Sequence, residues 1–307
     1  METAAQKQAV KANRNKLFKL MLNHPSKTFK TITGKKAHTL YTDMAEADKP
    51  QYKDLSKELW LNFGFWKEAK TYDTACAALA LELGKAVELS PADHLLDVGF
   101  GFGEQDVLWY KTFKPKHITG INITPLHVKV ASMRVGLHGL SDHITLQEGN
   151  ATQLGFADNS FDKMTALECA FHFDTREQFL KEAFRVLKPG GKIALTDCFP
   201  REGRPRDFWF WFVLKSMSIP VVNMMDKDTY IKKLEKIGYT NIKIEIISDN
   251  VFRGMAAYFK KIAAGTPKDK VEVNLPNEDV TMNDWWYGRG WFMGLDDYAI
   301  VTAQKPN

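Results

Sequence analysis

The chain has 307 residues, 44% hydrophobic and 26% charged, with a net charge of +5. These are globular values, so wholesale disorder and collagen-like repeats are excluded. The absence of any stretch of about 18 uncharged apolar residues excludes a membrane-spanning helix.

The charge is unevenly placed. Residues 1–40 hold nine Lys/Arg against the single acid Glu2, a net +8, so the other 267 residues carry −3. A mildly acidic body is a poor electrostatic partner for nucleic acid, and no nucleic-acid partner is expected. The basic arm leaves several roles open: closing over a site, pairing in a homo-oligomer, peripheral contact with an anionic membrane, or targeting. The first residues lack the apolar core of a secretory leader. Cys76, Cys169 and Cys198 are too few and too scattered for a disulfide framework or a zinc site. The reading is cytoplasmic, with no metal.

In chain order, residues 3–22 read as a helix ended by Pro25, and 24–50 as a basic connector. Residues 72–89 predict a helix, with Ala75, Leu79, Leu83 and Ala86 at helical spacing. His94–Val98 is a short apolar strand feeding a glycine-rich turn, with a helix from about Glu104. A second strand at Ile118–Ile123 precedes a helix from about Pro125 to His138, which Gly139 ends. Ile144–Leu146 begins a third strand, and Phe161–Cys169 contains a fourth. The helix 175–187 follows, then the stop Lys188-Pro189-Gly190-Gly191 and a fifth strand, Lys192–Asp197. Residues 228–237 predict a helix, Ile242–Ile247 an exposed strand, Gly254–Ala264 a helix and Tyr298–Ala303 a last strand. Two aromatic inserts interrupt the rhythm at about 201–225, with Phe208-Trp209-Phe210-Trp211-Phe212, and at about 265–295, with Trp285, Trp286, Tyr287, Trp291 and Phe292. Alternating strands and helices predict an α/β fold with a doubly wound, mostly parallel sheet. The expected division is a basic arm at 1–57 and one domain at 58–307.

The string Asp97-Val98-Gly99-Phe100-Gly101-Phe102-Gly103-Glu104-Gln105 is a strand end, three alternating glycines and a helix start. Glycines let backbone turn tightly and approach a ligand closely. A dinucleotide fingerprint would put its third glycine at 104, but Glu104 stands there, and a carboxylate at a helix start repels a pyrophosphate. No Gly-Lys-Ser/Thr follows, so this is not a P-loop.

Asp97-x-Gly99-x-Gly101-x-Gly103 resembles the first motif of class I S-adenosylmethionine-dependent methyltransferases. Asp158-Asn159-Ser160-Phe161-Asp162 and Arg185–Gly191 resemble that family's later structural turns. The resemblance covers about 58–200 and implies a seven-stranded Rossmann-like sheet and S-adenosylmethionine as cofactor. It implies cofactor contacts from Asp97, Gly99, Gly101, Gly103 and Gln105. Asp97 and the turn carbonyls would receive the ammonium. Where the family carries an acid for the ribose hydroxyls, Asn122 stands beside Ile123. Where it carries one for the adenine amino group, Asn150 precedes Ala151. Within the family the resemblance is to the sterol, tocopherol, ubiquinone and natural-product group. Asn62-Phe63-Gly64-Phe65-Trp66 looks like the segment those enzymes fold over the cofactor.

Methyl transfer from a sulfonium is an in-line displacement, in which alignment supplies much of the catalysis. The resemblance puts the end of strand four against the methyl. There His172 is the candidate general base. Glu168 resembles an acid that sterol C-methyltransferases carry there, and is the candidate for orienting the acceptor or stabilising developing positive charge, and a cofactor contact as well. The alternatives for His172 are a helix cap or a backbone hydrogen bond. The aromatic inserts suit a lipophilic small-molecule acceptor, taken by O- or C-methylation. Other readings are N-methylation of a small amine or phospholipid headgroup, and a non-catalytic binding protein that keeps the fold.

Overall fold

Strands and helices alternate from Tyr72 onward in the computed structural model, which describes residues 54–55, 57–200, 210–211, 214–215, 218–275 and 297–307. The expected helix at 3–22, the basic connector, Phe208, Trp209, Phe212 and the cluster Trp285–Phe292 lie outside the described residues. Helix α1 (Tyr72–Ala86) starts at Thr71, whose hydroxyl and Thr74 form a reciprocal capping box. That arrangement satisfies two orphan donors of the first turn. β1 (His94–Val98), α2 (Glu104–Phe113), β2 (His117–Asn122), α3 (Pro125–Leu137) and β3 (Ile144–Glu148) follow, then β4 (Phe161–Ala166), α4 (Arg176–Val186), β5 (Leu187–Phe199), α5 (Lys227–Ile237), β6 (Thr240–Ile246), α6 (Ser248–Ala263) and β7 (Asp297–Gln304).

The strands form a seven-stranded sheet in the order β3-β2-β1-β4-β5-β7-β6. β1 pairs parallel with both β2 and β4, and β7 is antiparallel to β5 and β6. Successive residues face opposite sides of a strand. Leu95 therefore joins a core with Leu79 of α1, Trp109 of α2 and Phe252 of α6, while Leu96 joins one with Phe179 and Leu180 of α4 and Leu234 of α5. Both faces are covered, as a doubly wound sheet requires. The chain reverses direction across the sheet between β1 and β4, and the carboxyl ends of the strands there form a ligand crevice.

Several boundaries differ from expectation. β4 stops at Ala166 because Glu168 takes a left-handed backbone, φ 56°, and a single turn of 3-10 helix follows at Ala170–His172. β5 begins at Leu187 rather than Lys192. The Pro-Gly-Gly stop ends α4 but leaves Leu187 paired with Phe161 across a register shift. α6 starts at Ser248 rather than Gly254. Gly254 lies inside this helix because a Cβ there would come 2.0 Å from Cγ of the buried Trp66. The glycine was read as a boundary, but it is a packing requirement. Gly254→Ala is accordingly expected to destabilise the fold by about 3 kcal/mol or more, at the upper end of overpacking costs. A urea-midpoint shift checks it, and a midpoint within experimental error of the parent removes the packing explanation.

Phe210 is buried in the core, while Trp211 stands 39% exposed against its ring edge. At these two positions the first aromatic insert divides between core and surface.

Candidate functional site

The three glycines after β1 bend the chain over the sheet edge. Gly99, Gly101 and Gly103 have φ of 79°, 57° and 78°, where side chains are strained. At Gly99 a Cβ would also sit 2.7 Å from the Cys169 sulfur. The turn opens onto a cavity of about 690 Å³ spanning the carboxyl ends of β4, β1, β2 and β3. Nine residues expected at the site line it: Gly99, Gly101, Gln105, Asn122, Ile123, Asn150, Ala151, Glu168 and His172.

Asp97 and Gly103 do not line it. Asp97 is fully buried beneath the turn, where its carboxyl accepts from Thr165 Oγ1 at 2.8 Å and from Gln105 Nε2 at 3.1 Å. The carboxyl is thus turned to these two donors and away from the cavity where an ammonium was expected. Asp97 fixes Gln105, and Gln105 reaches the cavity. Burial pushes the Asp97 pKa up to about 7 against the pull of those hydrogen bonds. Beside it Asp106 is also fully buried, its carboxyl against that of Asp97. Burial and the Asp97 charge push its pKa well up. Gly103 precedes α2 and packs towards Ala131 of α3.

Glu168 is held from three directions. Its Oε2 accepts from the Phe63 N–H at 2.8 Å and from the Tyr298 hydroxyl at 3.0 Å, and its own N–H donates to Thr196 Oγ1 at 2.8 Å. Burial raises its pKa to about 8, with both donors pulling the other way. His172 stands four residues on, half-buried, its ring 4.4 Å from that of Phe171. The helix it was weighed as capping is capped by the Thr175 side chain, which accepts from Gln178 N. Cys198 is fully buried as a small core residue, whereas Cys169 lines the cavity and donates its thiol proton to the Val98 carbonyl at 3.0 Å.

The Asn62–Trp66 segment and the residues before it form a strap. Arg134 and Glu104 make a buried ion pair at 2.5 Å, only 4% and 7% exposed at their side chains. Arg134 Nη1 also donates to the carbonyls of Leu55 and Lys57 at 2.7 Å, and Glu104 accepts from the Leu59 N–H at 2.8 Å. The expected border at 57/58 thus falls within a segment tied to the body. Leu59, Leu61 and Asn62 of this strap line the cavity. The carboxylate that spoke against a pyrophosphate is spent on this tie. Sequence reasoning missed Arg134, although a cation on the buried stripe Val130, Ala131, Arg134 and Val135 was a readable signal.

His127 was also missed. It lines the cavity from the first turn of α3, packed 4.4 Å from the Phe102 ring, and burial lowers its pKa to about 4. A base whose folded pKa lies below its unfolded value contributes stability above about pH 6.5 that is lost as pH falls towards 4. At about 1.4 kcal/mol per unit, the loss reaches about 3 kcal/mol. Asp97 acts oppositely, favouring the folded state at low pH and losing that contribution as pH rises through 7. The comparison must therefore be between variants. His127→Gln should lose less stability than the parent between pH 7 and 4.5, by denaturant titration. Equal losses would show that His127 does not carry the acid sensitivity.

Thr124 Oγ1 is buried in the cavity wall without a hydrogen-bond partner. A long cavity of this size, with an unused hydroxyl, two asparagines and a glycine turn, fits a nucleoside-containing small molecule. Among the described residues no cluster of His, Cys, Asp and Glu could hold a metal ion. No helix among them is long and apolar enough to cross a membrane.

The family model described as a methyltransferase domain matches residues 96–195. The erythromycin 3''-O-methyltransferase of Saccharopolyspora erythraea is 36% identical over 287 residues, 88% of this chain and 89% of that one. The 27-O-demethylrifamycin SV methyltransferase of Amycolatopsis mediterranei is 34% identical over 48% of this chain and 55% of its own length. Among solved structures, the [4+2]-cyclase SpnF has a TM-score of 0.66 at 22% identity, covering 89% of this chain and 97% of that one. At that identity the likeness concerns the fold.

Proposed function

From the premise that this chain belongs to the S-adenosylmethionine-dependent methyltransferases of small molecules, we propose that it methylates a hydroxyl oxygen of a lipophilic natural product. The observation that carries the proposal is the pairing of His172 and Glu168 in one cavity wall at the β4 end, next to the glycine turn. The O-methyltransferase relative, aligned over nearly the whole of both chains, supports oxygen as the acceptor. Leu167, Phe173, Ile219 and Pro220 line the same end and support an apolar acceptor.

S-adenosylmethionine, when bound, supplies an activated methyl group on a sulfonium. Gln105, braced by Asp97, and the carbonyls of the glycine turn would hold its charged amino-acid end. Asn122, Ile123, Asn150 and Ala151 would hold its nucleoside. His172 takes the proton of the acceptor hydroxyl as the oxygen attacks. Glu168, kept largely protonated at neutral pH by its burial, donates a hydrogen bond that orients the acceptor. The strap excludes water from the reacting atoms, which strengthens every polar contact inside.

The test offers radiolabelled S-adenosylmethionine with a panel of hydroxylated macrolides and polyketides, their methyl ethers, and simple amines. Label should enter the free hydroxyl compounds alone. Label in an amine, or in no compound despite cofactor binding, would overturn the oxygen assignment.

A cytoplasmic location, peripheral membrane contact and self-association belong to the same proposal. The basic arm at residues 1–40 would supply the contact. Removing 1–40 is expected to abolish sedimentation with anionic vesicles and leave cofactor affinity in place. Vesicle binding that survives the deletion assigns the contact elsewhere.

A further inference from the structure

Asn223 closes a single 3-10 turn, Val221–Asn223, in the first aromatic insert, and is only 1% exposed. Its side chain makes three hydrogen bonds, all to residues far away in sequence. Its Oδ1 accepts from the Arg176 N–H at 2.9 Å. Its Nδ2 donates to the Phe171 carbonyl at 3.0 Å and to the Phe173 carbonyl at 2.7 Å. A backbone N–H can only donate, so the atom facing Arg176 is the oxygen and the amide has one orientation. Both Nδ2 hydrogens are then committed to carbonyls.

Those two carbonyls belong to the residues on either side of His172. The turn Ala170–His172 is closed by bonds of its own, from the His172 N–H to the Cys169 carbonyl at 3.0 Å and from the Phe173 N–H to the Ala170 carbonyl at 3.2 Å. The bonds from Asn223 set that turn against the rest of the molecule. Their anchor is firm. Arg176 opens α4, and its guanidinium pairs with Asp197 of β5 at 3.3 Å, both side chains fully buried. Ile219 and Pro220, just before Asn223 in the chain, line the cavity that His172 also lines. One amide thus joins the wall that would receive the acceptor to the turn that carries the base.

We propose that Asn223 is a positioning residue for His172, directing its imidazole at the acceptor hydroxyl by clamping the backbone on both sides of it. The inference rests on the reading of His172 as the base. Aspartate at 223 has the same size, and one of its oxygens would still accept from Arg176. Its other oxygen would face two carbonyls that need a donor, so the clamp would open.

The experiment compares the parent with Asn223→Asp by NMR of protein carrying 13C-labelled histidine, the His172 signal being identified by its loss in His172→Ala. In the variant the His172 ring signal should shift or broaden, while those of His94, His117 and His127 stay in place and report an intact fold. With the best hydroxylated macrolide of the acceptor panel, kcat should fall by about 10²-fold, the scale of a misplacement of about 1 Å. S-adenosylhomocysteine affinity should match the parent's, and in a His172→Ala background the same substitution should cost no further rate. Should the aspartate variant not fold, Asn223→Ser, whose hydroxyl donates to one carbonyl at most, is read in the same way. An unchanged His172 signal overturns the proposal. So does an equal loss of kcat with and without His172, because Asn223 would then act on the fold as a whole. A displaced His172 signal with the parent's kcat overturns instead the base reading from which the inference starts.

Discussion

Arg134→Met should destabilise the protein by about 3–5 kcal/mol, the cost of leaving a buried ion without its partner. Glu104 would then stand buried and unpaired, and the Leu55 and Lys57 carbonyls would lose their donors. The strap that lines the cavity would detach, so S-adenosylhomocysteine affinity should fall by more than the tenfold that one lost contact explains. The double variant Arg134→Met with Glu104→Leu separates the two effects. Removing both charges restores much of the stability, because an apolar pair of similar volume tolerates burial. It does not restore affinity, because Arg134 still cannot hold the strap. Full recovery of affinity in the double variant would mean that the ion pair only stabilises and the strap closes without it.

His172→Ala should lower kcat by 10²–10⁴-fold, the usual contribution of a positioned general base. S-adenosylhomocysteine affinity should be little changed, because the loss falls on proton removal rather than on the cofactor. Added imidazole should restore part of the rate, as it supplies a base to the vacated volume. His172→Gln should not recover activity, since an amide fills the space without taking a proton. Unchanged kcat in the alanine variant would transfer the base role to another group. An equal loss in cofactor affinity would make His172 a binding residue.

The sequence made the architecture legible because parallel strands buried on both faces read as apolar runs, and glycine and proline punctuate them. His94–Val98 and its turn were identified to the residue. The misplaced starts of β5 and α6 share one cause: a local signal was outweighed by a distant partner. Gly254 read as a start because its contact with Trp66, nearly two hundred residues earlier, leaves no local mark. The site was legible as a set of residues but not as a set of directions. Asp97 was singled out at the strand end, yet only the fold shows that its oxygens turn inward to Thr165 and Gln105. Asn122 and Asn150 were seen to lack charge, but only the fold shows that each side-chain oxygen accepts from the backbone N–H two residues on. The tie from Arg134 to the Leu55 and Lys57 carbonyls spans about eighty positions. Pattern reasoning over a few turns of helix does not reach that far.

The strap's anchor points run in an order opposed to synthesis. Phe63 is held by Glu168, Trp66 N donates to the Asn250 carbonyl at 2.7 Å, and Glu168 itself is braced by Tyr298 of the last strand. The roof of the cavity therefore leaves the ribosome first, and its last support leaves nearly at the end. At 5–20 residues per second the interval is some tens of seconds. For that time Trp66, one of the largest side chains in the finished core, has no helix to enter. Capture of the cofactor under a fully braced strap is thus an event of the completed chain, and a nascent chain stalled before Tyr298 should hold its strap without the brace on Glu168.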